Sequence, residues 1–136
     1  MSIKPRVIIR HCDAYDVERI ASIIGEGLDE LGLRPTGRTL IKPNVVASGK
    51  HFPHAYTRPE FTEGVVKALK ARGEDTEEIA IGERCGITVP TRFAFKHADY
   101  YPIGKRNNVP LYHFEEVTQV EIPLYHEGRL RDSFFT

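Results

Sequence analysis

Residues 39–44 read Thr-Leu-Ile-Lys-Pro-Asn. The short run of β-branched and aliphatic residues reads as a strand. Pro43 stops its hydrogen-bond ladder and holds Lys42 extended. Upstream, Val17, Ile20, Ile24, Leu28 and Leu31 recur at spacings of three and four, one helical stripe. Asp13 or Asp16 can cap its start, and Gly32 followed by Pro35 ends it. Gly25 and Gly27 within it are expected at close packing on a sheet. Further upstream, Arg6-Val7-Ile8-Ile9-Arg10 predicts a buried first strand.

Downstream, a polar loop from Asn44 to Tyr56 leads to Thr57-Arg58-Pro59-Glu60, which fits a capping box. Phe61, Val65, Ala68 and Leu69 form the apolar face of the next helix, and Gly73 closes it. Glu78 to Gly82 predicts a third strand and Thr91 to Tyr101 a helix with Phe93, His97 and Tyr100 on one side, His97 packing in the core. Val109 to Phe114 predicts a fourth strand. Val117 to Leu124 alternates, and His126-Glu127-Gly128-Arg129 reads as a turn into a last strand fragment.

Strands alternating with helices define an α/β class. The expected architecture is three-layer, a mostly parallel sheet with helices on both faces and an antiparallel edge near the C-terminus. With 136 residues the chain forms a single domain spanning 1–136. Hydrophobic content of 40% and charged content of 28% are globular values. Nineteen basic and nineteen acidic residues cancel, which argues against a nucleic-acid binder running on bulk charge. Two cysteines, Cys12 and Cys85, are too few for a disulfide framework. No stretch approaches a membrane span and the N-terminus is no signal peptide, so a cytoplasmic location is expected.

Gly25-Glu26-Gly27 lies within a helical pattern and lacks the third glycine of a dinucleotide fingerprint. Asn44 to His51 contains Gly49-Lys50, but a P-loop needs glycine at 44 and Ser or Thr at 51. What survives is positional. Right-handed crossovers bring the C-terminal ends of parallel strands to one edge, where such folds bind ligands. His11-Cys12-Asp13, Lys42-Pro43-Asn44 and Glu83-Arg84-Cys85 are expected there, joined by His51 and His54. Each has a plainer reading. Lys42 is a site cation or a solvated strand-end lysine, Asn44 a ligand contact or a turn former, and Glu83 a site carboxylate or a loop charge. His51 and His54 are a metal-binding pair or two exposed loop histidines, and the cysteines an active pair or inert thiols. The helix start near Thr57 adds free N–H groups suited to an anion beside Lys42.

Three blocks carry a family resemblance: Leu40-Ile41-Lys42-Pro43-Asn44-Val45-Val46, Thr57-x-Pro59-Glu60, and Ile79-Ala80-Ile81-Gly82-Glu83. With the helix at 94–101 and Val109-Pro110-Leu111-Tyr112 behind them, they resemble the DUF362 proteins from Val7 to about Leu130. The resemblance implies a cytoplasmic prokaryotic protein of unsettled biochemical role, with relatives described as iron–sulfur-associated. The cofactor is open, and this chain carries no complete iron–sulfur cluster motif. Family members continue into further strands and a Lys-x-His stretch, so the chain is expected to be the N-terminal part of the family domain. Lys42, Asn44, Thr57 and Glu83 are the positions the resemblance carries over.

The functional expectation is a domain binding a small anionic or metal-bound ligand. Lys42 neutralises its charge, Glu83 serves as acid, base or metal ligand, and Asn44, Thr57 and His11 complete the ligand contacts. His51 and His54 are the metal candidates. The alternative is a non-catalytic module, forming a homo-oligomer or completing its sheet with a partner. No nucleic-acid or membrane partner is expected.

Overall fold

A computed structural model describes residues 5–72, 78–86, 89–126 and 129–135. The first helix, α1 (Val17–Leu31), starts where Asp16 accepts from the Arg19 N–H at 2.6 Å and ends at Gly32 in the left-handed conformation (φ 68°). The second, α2 (Pro59–Arg72), packs against α1. A Cβ on Gly64 would lie 2.5 Å from Ile20 Cγ2, so the bare backbone there sets how closely the two helices meet. On α1, Gly25 faces the Arg72 guanidinium, while Gly27 has open space, so close packing holds for Gly25 and is on α2 rather than a sheet.

Three strands form a parallel sheet in the order β1 (Arg38–Ile41), β2 (Glu78–Glu83), β3 (Leu111–His113). Ile41 stands opposite Ile81, Ile81 opposite Leu111, and Glu83 opposite His113. Because the strand order is monotonic, crossovers of one hand lie on one face of the sheet. The core shows which face: Ile79 and Ile81 pack with Val66 and Leu69 of α2, and with Phe95, Tyr100 and Ile103 from the second crossover. Thus the α/β class and parallel sheet stand, with the described crossover α-helices on one face only. Leu40 and Tyr112 on the other face are exposed.

The second crossover is two helices, α3 (Thr91–His97) and α4 (Tyr100–Asn107), where the sequence predicts one. Pro102 has no N–H and fits only a helix's first turn, so a new helix starts just before it, after Asp99 at φ 58°. The break also re-sorts the aromatics. Phe93 and His97 pair on the outside with ring centroids 4.1 Å apart, correcting the expectation of a core histidine. Phe95 and Tyr100 are the residues that stack inside, at 5.0 Å.

Two expectations fail at the ends of the sheet. Among the described residues, Arg6 to Arg10 pairs with no strand, and Val7 and Ile9 are 83% and 85% exposed. Arg6 and Arg10 instead reach Glu30 near the end of α1, which ties the segment to the helix. The antiparallel element is a separate two-stranded sheet, β4 (Glu121–His126) with β5 (Arg129–Phe135), rather than an added edge of the parallel sheet. The turn expected at 127–128 lies outside the described residues. Among the described residues, no helix is long and apolar enough to cross a membrane.

Candidate functional site

The strand ends do gather polar residues. As β2 ends, Glu83 points into the helix-covered side and is only 3% exposed. Its Oε1 accepts from Lys42 Nζ at 2.7 Å and from the Arg84 N–H at 2.7 Å. The Lys42 side chain is 59% exposed, so the pair is one buried carboxylate holding one outward-facing ammonium. A carboxylate removed from water needs such partners.

Asn44 and Thr57 close the neck of the loop between β1 and α2. The Asn44 N–H donates to Thr57 Oγ1 at 3.1 Å, and the Thr57 N–H donates to the Asn44 carbonyl at 2.7 Å. Val45 and Tyr56 form the next bridge. The Thr57 hydroxyl is therefore spent on the loop neck, and Glu60 pairs with Arg58 at 3.3 Å, so the expected capping box is not made. Both residues act first on the loop's shape, which fixes where Lys42 leaves the sheet.

Below them sits Tyr100, fully buried, donating to the Thr57 carbonyl at 2.9 Å and lying 3.0 Å from the Thr62 hydroxyl. Burial pushes its phenol up to about 12, and the nearby Glu83 carboxylate adds to the rise while Thr62 opposes it. It is a fixed neutral donor at any ordinary pH.

Beyond Glu83 the chain lines a cleft of about 340 Å³ with Arg84, Cys85, Gly86, Val89, Pro90, Glu115 and Glu116. The Cys85 N–H donates to Thr91 Oγ1 at 2.8 Å, and the Thr91 N–H donates to Glu115 Oε1 at 2.6 Å. Burial pushes the Cys85 thiol up; Thr91 counters, and Glu83 and Glu115 raise it further. A thiol held protonated is a poor nucleophile. Burial works against ionisation of Glu115 as well, but the N–H donors around it hold its carboxyl below the usual range.

His113 ends β3 in register with Glu83, completing a row of strand-end residues with Lys42 and Glu83. Sequence reasoning passed over it, and over Tyr100, Thr91 and Glu115. For His113 a signal was present: it ends an apolar strand just as Lys42 and Glu83 do. The others depend on contacts between distant segments.

His11 is exposed, with Asp13 Oδ1 3.3 Å from its Nε2. Since its segment is no sheet strand, the row at the strand ends is reached without it. His51 and His54 are exposed loop residues, and among the described residues no group of three or more His, Cys, Asp or Glu converges as a metal site. Cys12 is exposed and donates to the Ala14 carbonyl at 3.1 Å, while Cys85 is buried; neither is in a disulfide.

The described parallel sheet thus carries an ionic row and a cleft at its C-terminal strand ends, the edge where open α/β sheets as a class place their ligands. The chain belongs to the DUF362 family, a domain of unknown function, whose family model matches residues 39–135. The match takes in Lys42, Asn44, Thr57, Glu83 and His113 but leaves His11 and α1 outside. Comparison with the curated proteins and with the solved structures gives no match.

Proposed function

We propose that this DUF362 domain binds a small anionic or metal-bound ligand at the mouth of the strand-end cleft. The observation that carries the reading is the Lys42–Glu83 pair. A hidden carboxylate fixes an ammonium at the lip of the sheet while most of that lysine stays open to an incoming ligand. Arg84 at the cleft wall adds a second cation, and Glu83 is positioned to take a proton when a ligand draws Lys42 away. The resemblance also implies a part in an iron–sulfur-associated redox enzyme. One exposed and one buried thiol do not make a four-thiolate cradle, so the cluster itself would sit elsewhere than on this chain's cysteines.

The test is a titration of the full chain with inorganic phosphate, followed through backbone amide NMR signals. The reading expects shifts centred on Lys42, Asn44 and Arg84 that vanish in Lys42→Ala. Equal affinity in the variant, or shifts located elsewhere, would refute it.

A second reading, a module that completes itself with a partner, is favoured by the sheet face bearing Leu40 and Tyr112, which no described α-helix covers and over which Phe114 reaches only as far as Gly82. Sedimentation decides it: a dimer or mixed complex supports this reading and a concentration-independent monomer refutes it.

A further inference from the structure

Tyr101 has one hydroxyl proton and two acceptors within reach. Its oxygen is 3.0 Å from His113 Nε2 and 3.3 Å from the Arg92 carbonyl. On the other side of the imidazole, His113 Nδ1 lies 3.2 Å from Glu116 Oε2. Arg92 grips the same carboxylate, with Nε 3.1 Å from Oε1 and its terminal nitrogen 2.5 Å from Oε2. The four residues close a ring that joins α3, α4, β3 and the 3₁₀ turn Phe114–Glu116.

The chemistry of the ring fixes its protons. The Arg92 guanidinium holds the Glu116 carboxyl below its usual range, so Glu116 only accepts and the neutral imidazole carries its proton on Nδ1. Nε2 is then a lone pair, and the Tyr101 hydroxyl donates to it. Burial raises the Tyr101 phenol above its ordinary range, against the pull of Arg92, so the hydroxyl keeps its proton. If a proton adds at Nε2, that N–H turns to the phenolic oxygen and the phenolic proton turns to the Arg92 carbonyl. Every donor and acceptor keeps a partner in both states, so adding the proton strands no hydrogen-bonding group.

We infer that His113 is a proton store set behind Glu116, which lines the strand-end cleft, loading at Nε2 while the Tyr101 hydroxyl switches between His113 and Arg92. Its neighbours are accounted for on each packed element: Glu83 in register on β2, Arg92 and the Phe95 ring on α3, Tyr101 on α4, and Glu116 beside the 340 Å³ cleft that it lines. The store suits weak-acid ligands, phosphates or carboxylates, that exchange a proton on binding. That use rests on the reading of the cleft given above, whereas the store itself does not.

Ring-nitrogen NMR of His113 in the ligand-free full chain tests it, so failure of phosphate binding and failure of the store are separate results. The expected result is the Nδ1–H tautomer in the neutral state and reversible protonation with the chain still folded. Glu116→Gln should mix the tautomers and lower proton affinity by about tenfold. Tyr101→Phe should keep the Nδ1–H tautomer and shift the Nε2 signal. An Nε2–H tautomer, protonation only on unfolding, or a Glu116→Gln variant with unchanged tautomer and affinity would overturn the inference.

Discussion

Replacing Lys42 by alanine leaves the Glu83 carboxylate buried with, among the described residues, the Arg84 N–H as its remaining partner, and the cost can be worked from the geometry. Unit charges 2.7 Å apart attract by about 1.5 kcal/mol at the dielectric of water and about 6 kcal/mol at an effective value near 20. Lys42 is more than half exposed, so solvent screening and the ordering of its side chain cancel much of that, leaving about 2 kcal/mol. Glu83→Gln should cost about 1 kcal/mol, because an amide oxygen still accepts from Arg84 N–H. The double variant should cost no more than Lys42→Ala alone, since the stranded charge is gone. Urea unfolding of the four proteins at pH 7 gives the cycle, and the Lys42→Ala midpoint should fall by several degrees in a thermal scan. Strictly additive costs would refute the argument, because they would mean that the ammonium and carboxylate do not sense each other.

Tyr100→Phe removes the donor to the Thr57 carbonyl and the neighbour of the Thr62 hydroxyl; about 1–3 kcal/mol should be lost in denaturant unfolding, and a wild-type midpoint would count against the buried network. Glu63 on α2 is gripped by Arg106 and Asn107 of α4, at 2.6 Å and 2.9 Å from its Oε1. Its carboxyl lies below its usual value of 4.5, chiefly through the Arg106 hydrogen bonds and against burial. A depressed folded value stabilises the chain above pH 4.5 and is lost as pH falls below it, so Glu63→Gln should be weaker than wild type at neutral pH and converge with it in acid. Parallel stability curves would contradict this. Finally, a thiol reagent should modify exposed Cys12 quickly in the native chain and buried Cys85 only after denaturation; two fast thiols would show that the strand-end cleft is open to its floor.

The legibility of the site follows its physics. Lys42 and Glu83 were readable because a strand ending in a charged residue, followed by proline in one case and preceded by glycine in the other, aims that residue at a sheet edge. Asn44 and Thr57 were placed correctly in the chain, but their atoms are used on each other to close a loop, a pairing across 13 residues. The strand expected to carry His11 to the sheet edge is absent for one reason: Arg6 to Arg10 has the composition of a buried strand, yet composition does not supply a strand to pair with, and Glu30 holds its arginines elsewhere.

By itself, the sequence determined the local elements: the stripe of α1, the strand endings at Lys42 and Glu83, the start of α2, and the resemblance that the family match over 39–135 bears out. Those are short-range properties, set by side-chain periodicity, caps and the missing N–H of proline. Tertiary structure decided the rest. It put the described crossover α-helices on one face, broke a single expected helix in two around Pro102, buried Glu83 beneath an exposed lysine, and brought Tyr101, His113, Glu116 and Arg92 into one ring. Burial and long-range hydrogen bonding depend on which surfaces meet, and no local pattern of residues encodes that.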